Sequence, residues 1–210
     1  VKIRNFINQT NSAVVVLNND WKKKLQSYIG HCNVIYNPVD PKIIPNGEVK
    51  RDLHHLLLLG RNEPVKGHKF AEKLGECLLE SIPDLKISMT GIEQNENNWV
   101  DAKGWISEQE KLDLLQRSSL LIAPSAYEGQ PLAILEALAC GLPCLASDRI
   151  SELPKIVETA EFENMEIWAA KVKEILAQEI NSDNLISASE QFGVEKIKQK
   201  WKVLYDSQFS

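Results

Sequence analysis

A run of four leucines ends at Gly60 and gives way to a short loop that holds two cations, Arg61 and Lys66, with Gly67 directly after them. Arginine offers a planar fork matching two phosphate oxygens, lysine a compact charge, and glycine a close backbone approach at a helix start. The spacing suits a diphosphate; taken alone, it suits two cations on a solvated loop equally well. Further along, "YEGQPLAILEALACG" sets Glu128 in a loop and Glu136 among leucines, isoleucine and alanines. Pro131 fits the first turn of a helix, where its missing N–H and fixed φ do no harm. Free N–H groups around Gly129, Gln130 and Leu132 would then favour an anion at the same mouth as Arg61 and Lys66. Leu132, Leu135 and Ala139 form the apolar stripe of that helix, and at about 100° per residue Glu136 falls roughly 40° from Leu132, bordering the stripe. A carboxylate there needs a partner, because burying one unpaired is very costly. Two kinds of partner fit: a neighbouring arginine or backbone N–H pair, or a ribose diol donating both hydroxyl hydrogens. Glu128 reads either as an exposed loop charge or as a carboxylate reaching the reacting end of a ligand.

Several chemistries are not supported. No G-x-G-x-x-G follows a candidate strand and there is no G-x(4)-G-K-[ST], so neither a dinucleotide fingerprint nor a Walker loop is present. The four histidines, His31, His54, His55 and His68, show no metal-binding spacing. Cys32, Cys77, Cys140 and Cys144 form no CxxC pair and read as reduced thiols. A net charge of -5, from 24 basic against 29 acidic residues, argues against a nucleic-acid partner. No window approaches the roughly 18 uncharged apolar residues of a spanning helix, and no signal peptide opens the chain. A cytoplasmic location is the resulting default. "KKK" at Lys22–Lys24 reads as a solvated helix face or as a contact for an acidic surface.

The elements that must position these residues follow from hydrophobic period. "AVVVLNN", "NVIYNP", "LHHLLLLG", "LKISMTG", "SLLIAPS" and "PCLAS" read as strands, their continuous apolar runs pointing to burial on both faces. Helical period falls at 66–81, 107–117, 131–139, 164–178 and 194–206, with Ser107 and Glu110 spaced as a capping box. The alternation predicts an α/β fold, a Rossmann-like parallel sheet flanked by helices, with ligands at the carboxyl ends of the strands. "YNPVDPKIIPNG" holds three prolines and reads as an extended linker, assigned to 38–50. Residues 1–37 carry too few elements for a domain and read as the tail of a preceding one. Trp105, after a glycine turn, fits a nucleobase neighbour or a core tryptophan.

Together, "VIYNPVD", "LLLLGRNEPVKG", "GWISEQEKLDLLQRSSLLIAPSAYEGQPLAILEALACGLPCLASD" and "FGVEKIKQKWKVLY", in that order, resemble the glycosyl transferases group 1 family of retaining GT-B enzymes. Glu128 and Glu136 fit its E-x(7)-E motif. The resemblance makes 51–190 the donor-binding domain and the C-terminal half of a GT-B enzyme. Residues 1–37 become the end of an acceptor-binding domain, and 191–210 a helix packing back towards it. It implies that Arg61 and Lys66 neutralise the diphosphate of a UDP- or GDP-type sugar donor and that Glu136 holds the ribose. Glu128 would stand beside the donor sugar, with catalysis resting on Glu128, Arg61 and Lys66. Gly60, Gly91, Trp105, Gly129, Gln130, Pro131 and Leu132 complete the expected donor site, with no metal and no cofactor. The acceptor would be a glycan or lipid-linked glycan in polysaccharide or lipopolysaccharide assembly, with the full-length protein at the inner face of a membrane. A degenerate domain kept as a non-catalytic partner or regulatory subunit is the alternative. After Asp148 a glycine pair and an N-G-L-L-V stretch are missing, which implies one peripheral strand or loop fewer.

Overall fold

Apolar runs too short for helices and rich in leucine and isoleucine build the centre of the molecule. In the computed structural model, which describes residues 2–10 and 12–209, a parallel six-stranded sheet runs in the order β5-β4-β3-β6-β7-β8. Its strands are β3 (His55–Leu58), β4 (Lys86–Thr90), β5 (Val100–Gly104), β6 (Leu120–Ala123), β7 (Cys144–Ser147) and β8 (Glu158–Ala160). Alternation along β3 sends Leu56 and Leu58 to one face and Leu57 to the other, and all three are buried.

Helices cover both faces. One core packs Leu56, Leu58, Ile87 and Met89 against α3 (His68–Leu79) and α6 (Met165–Ala177), with Leu74, Leu78 and Trp168 fully enclosed. The other packs Leu57, Leu121 and Ala146 against α4 (Glu108–Arg117), α5 (Leu132–Ala139) and α7 (Ser182–Ser189). Ser107 caps α4 in a complete capping box with Glu110. The strand order reverses between β3 and β6, and an open α/β sheet takes its ligand outside the carboxyl ends of such a neighbouring pair.

The start of the chain stands apart from this sheet. It contributes α1 (Lys2–Thr10), α2 (Asn19–Ile29) and a two-stranded parallel sheet, β1 (Val15–Val16) with β2 (Asn33–Val34). At the other end α8 (Val194–Phe209) brings Lys200 within 5.2 Å of the Tyr36 ring, just after β2. Val1, Asn11 and Ser210, which fall in the segments assigned to 1–37 and 191–210, lie outside the described residues.

Several expectations need correction. The strand implied to be missing after Asp148 exists as β8, paired in parallel with β7. The helix expected at 66–81 begins at His68, since Lys66 closes a separate 3-10 turn over Pro64–Lys66 and Gly67 takes the N-cap. Pro131 is the N-cap of α5 and not its first helical residue. Leu132 is 37% exposed, so it leaves the apolar stripe, and the helix buries Ile134, Leu135, Ala137, Leu138 and Ala139 together with Glu136.

Candidate active site

Two loops leave the carboxyl ends of β3 and β6 and meet at the point where the strand order reverses. The first carries Arg61 and Lys66. Its entry is fixed by Thr90 at the end of β4, whose hydroxyl accepts the Gly60 N–H at 2.8 Å and donates to the Gly60 carbonyl at 3.1 Å. Gly91 follows with φ at +79°, and a Cβ there would stand 2.5 Å from the Gly60 carbonyl and 2.7 Å from the Asn62 nitrogen. Only glycine lets the turn after β4 lie this close to the Arg61–Lys66 loop. The Lys66 stem lies over Gly60, so that a Cβ on Gly60 would meet its Cδ at 3.3 Å.

The second loop carries Glu128. Its Oε1 lies 2.6 Å from Lys66 Nζ and accepts the Ser125 hydroxyl at 2.8 Å, with both charged side chains mostly buried. The Ala126 N–H donates to the Val65 carbonyl at 2.8 Å, tying the loops a second time. Glu128 is therefore not an exposed loop charge. Arg61 is mostly exposed and its guanidinium touches Glu63 at 3.3 Å, on the same loop as Lys66.

α5 begins directly after this loop, but fewer of its N–H groups are open than the sequence implies. The Leu132 N–H donates to the Gln130 carbonyl at 3.0 Å. The Gln130 side chain is turned from the mouth onto the linker, where Oε1 accepts the Asn37 N–H at 2.6 Å and Nε2 donates to the Asn37 carbonyl at 3.0 Å. One turn into α5, Glu136 is buried at 9% exposure, and its Oε1 accepts from Lys111 Nζ of α4 at 2.9 Å. Lys111 reaches Glu108 as well, at 2.7 Å. Burial pushes the Glu136 carboxyl above the usual carboxylate range, outweighing the pull of Lys111. The lysine also feels its burial, yet two carboxylates hold its pKa above the ordinary value. Neither an arginine nor a backbone N–H pair is the structural partner.

At the ends of β4 and β5 the Gly91 N–H donates to the Gly104 carbonyl, and the Gly104 N–H to the Ile92 carbonyl, each at 2.7 Å. Trp105, next in sequence, is 78% exposed, which removes the core reading and leaves a flat aromatic face at the rim. His68, first residue of α3, is buried and its Nε2 reaches the Thr90 carbonyl at 2.8 Å, bracing the same turn. Thr90, Ser125, His68 and Lys111 are the site residues that sequence reasoning missed. Thr90, His68 and Lys111 act across elements distant in sequence, and only the serine, three residues before Glu128, lay within local view. Two further grooves lie near the amino end of β3, lined by Asp52 and His55 together with Asp101 of β5.

The arrangement offers two cations for an anionic group, one carboxylate beside them and another on the following helix. Residues 40–192 match the model of a protein family described as glycosyl transferases group 1. An uncharacterised glycosyltransferase of Haemophilus influenzae is 24% identical over 206 residues, covering 87% of this chain and 56% of that protein. The lipopolysaccharide 1,6-galactosyltransferase of Escherichia coli K12 is 28% identical over 144 residues, 60% of this chain and 39% of its own. The chain thus spans about half the length of the curated relatives it matches. In fold it is similar to sucrose-phosphate synthase of Thermosynechococcus elongatus, with a TM-score of 0.80 at 18% identity, covering 94% of this chain and 58% of that one. It is also similar to Anabaena HepE, solved with UDP and glucose, with a TM-score of 0.78 at 17% identity, covering 98% and 66%.

Proposed function

The chain belongs to the glycosyl transferases group 1 family, and from that premise we propose that it is the donor-binding half of a transferase using a nucleoside-diphosphate sugar. The observation that carries this reading is the meeting of the Arg61–Lys66 loop with the Glu128 loop, joined by the 2.6 Å ion pair at the reversal of strand order. Arg61 and Lys66 take the diphosphate of a UDP- or GDP-type donor, Arg61 through its fork and Lys66 through donors that Glu128 does not occupy. The ribose diol donates to Glu136, whose Lys111 contact opposes the upward push of burial on its pKa. Gly91, Gly104 and Trp105 form the rim against which the base lies.

In the reaction the bond between the anomeric carbon and the diphosphate oxygen breaks, and the electron pair leaves with the nucleoside diphosphate. The acceptor hydroxyl forms its new bond on the same face and passes its proton to the departing diphosphate oxygen, so configuration is retained. Arg61 and Lys66 stabilise the charge growing on the leaving oxygen, a task that in other sites falls to a metal. Glu128, beside Lys66, faces the sugar. The acceptor, a glycan or lipid-linked glycan, binds a preceding domain of which the β1-α2-β2 unit is the last part. The names of the bacterial relatives support lipopolysaccharide or polysaccharide assembly. Cytoplasmic work at the inner face of a membrane fits that role; among the described residues no helix is long and apolar enough to cross one.

Calorimetric titration of the chain with UDP and with GDP tests this reading. Saturable binding of one of them, lost in Lys66→Ala, is the expected result, and no heat with either overturns it.

A further inference from the structure

The loop that carries Glu128 is held from outside its own sheet. Asn18, the N-cap of α2, is buried at 3% exposure. Its Oδ1 accepts the Trp21 N–H at 2.8 Å, and its Nδ2 donates to the Gly129 carbonyl at 2.6 Å. The amide orientation is forced by chemistry, because an N–H requires the oxygen and a carbonyl requires the nitrogen. Beside it Trp21 Nε1 donates to the Tyr127 hydroxyl at 2.6 Å, with the two rings edge to face. Gly129 itself has nothing within 4 Å of where a Cβ would stand, so side-chain packing does not hold it. An unpacked glycine in a loop is entropically costly to fix. The carbonyl bond from Asn18 does this.

We propose that Asn18 is a positioning residue: through Gly129 it sets the conformation of the loop and so the place of the Glu128 carboxylate. The role rests on the donor reading only in assigning Glu128 to the sugar; the anchoring of the loop stands apart from it. On the far side of Glu128 the loop is tied by Ala126 to Val65, and on the near side by Gly129 to Asn18. With both ties in place the carboxylate meets Lys66 and Ser125; with the Asn18 tie cut, the peptide that follows the carboxylate loses its direct anchor, while the Ala126, tryptophan and Gln130 contacts remain.

Two substitutions separate the two bonds of Asn18. Asn18→Ser still caps α2 but is too short to reach Gly129. Asn18→Asp also caps α2, while its carboxylate cannot donate to the carbonyl. Amide hydrogen exchange on the ligand-free 210-residue chain is the first readout. In both variants the amides of 126–130 exchange about tenfold faster, the effect of losing one ordinary hydrogen bond, while those of α2 stay as in the parent chain. The second readout compares UDP with UDP-glucose: the affinity for the sugar nucleotide falls relative to that for UDP. Unchanged exchange at 126–130 in both variants, or equal loosening of α2, overturns the proposal whether or not a donor binds. A parent chain that binds neither UDP nor UDP-glucose overturns the donor reading and leaves the exchange result to decide on Asn18.

Discussion

Lys66 Nζ and Glu128 Oε1 stand 2.6 Å apart, so the cation facing the proposed diphosphate is already half neutralised before any ligand arrives. Removing the lysine takes away attraction, and removing the carboxylate charge takes away competition. Lys66→Ala should weaken UDP binding by about tenfold or more, and Glu128→Gln should strengthen it by roughly threefold at low salt, the scale of one partly screened charge contact. The gain from Glu128→Gln should vanish in the double variant, since it acts through Lys66. Calorimetry on the four proteins measures the cycle, and additive effects would break the link between the residues.

The Glu136 and Lys111 pair governs pH dependence. A diol donates to an ionised carboxylate, and burial lifts the Glu136 pKa above the ordinary glutamate value. UDP binding should therefore decline, as pH falls, at a higher pH than an ordinary glutamate would give. Lys111→Met removes the group that opposes this shift and should move the decline higher still. For folding the sign is opposite to that of a usual salt-bridged acid. A carboxyl raised in the folded state contributes stability that is present below 4.5 and lost as pH rises through its folded value. Glu136→Gln should thus melt no lower than the parent at neutral pH while losing UDP affinity; a large drop in melting temperature would make the carboxylate structural.

Gly91 lets the turn after β4 lie against the Arg61–Lys66 loop. Alanine there must accept φ near +79° and a Cβ 2.5 Å from the Gly60 carbonyl. The left-handed backbone alone costs about 1–2 kcal/mol, and the close approach adds to it. Gly91→Ala should lower unfolding free energy in denaturant titration by more than that sum and abolish UDP binding, because Gly60 and Thr90 move with it. Retained affinity would separate the turn from the site.

What the sequence showed of this fold depended on where each segment lies. β3, β6 and β7 are central and apolar on both faces, and β4 buries Ile87 and Met89 on one, so they read as apolar runs. β5, "VDAKG", and β8, "ETA", are the two edges, half exposed and without such a run, and they escaped notice. α7 buries mainly Leu185 and was invisible for the same reason, as was α1, which buries nothing. The cations and both glutamates were legible from local context, since loop ends and helix period fix their positions. Their partners were not. Lys111 meets Glu136 only because α4 packs beside α5, and Asn18 meets Gly129 across 111 positions of sequence.

Arg51, at the end of the linker, staples the helices that carry this second pair. Its Nη1 donates to the carbonyls of Leu115, Gln116 and Ser118 at 2.8–3.0 Å, and its Nη2 to that of Cys140 at 2.7 Å. These carbonyls lie at the carboxyl ends of α4 and α5, where a cation also complements the helix dipoles. Burial lowers its pKa, yet an arginine stays charged far above neutrality. Lysine cannot reproduce a planar fork that serves two helix ends at once, so Arg51→Lys should cost about 2–3 kcal/mol for the bonds lost. In a chain of this size that is a fall of roughly 4–12 °C in melting temperature. Because both helix ends loosen together, the Lys111 to Glu136 contact should weaken as well, and UDP affinity should fall in Arg51→Lys without any change at Arg61 or Lys66. A variant that melts lower but binds UDP as the parent does would confine Arg51 to stability.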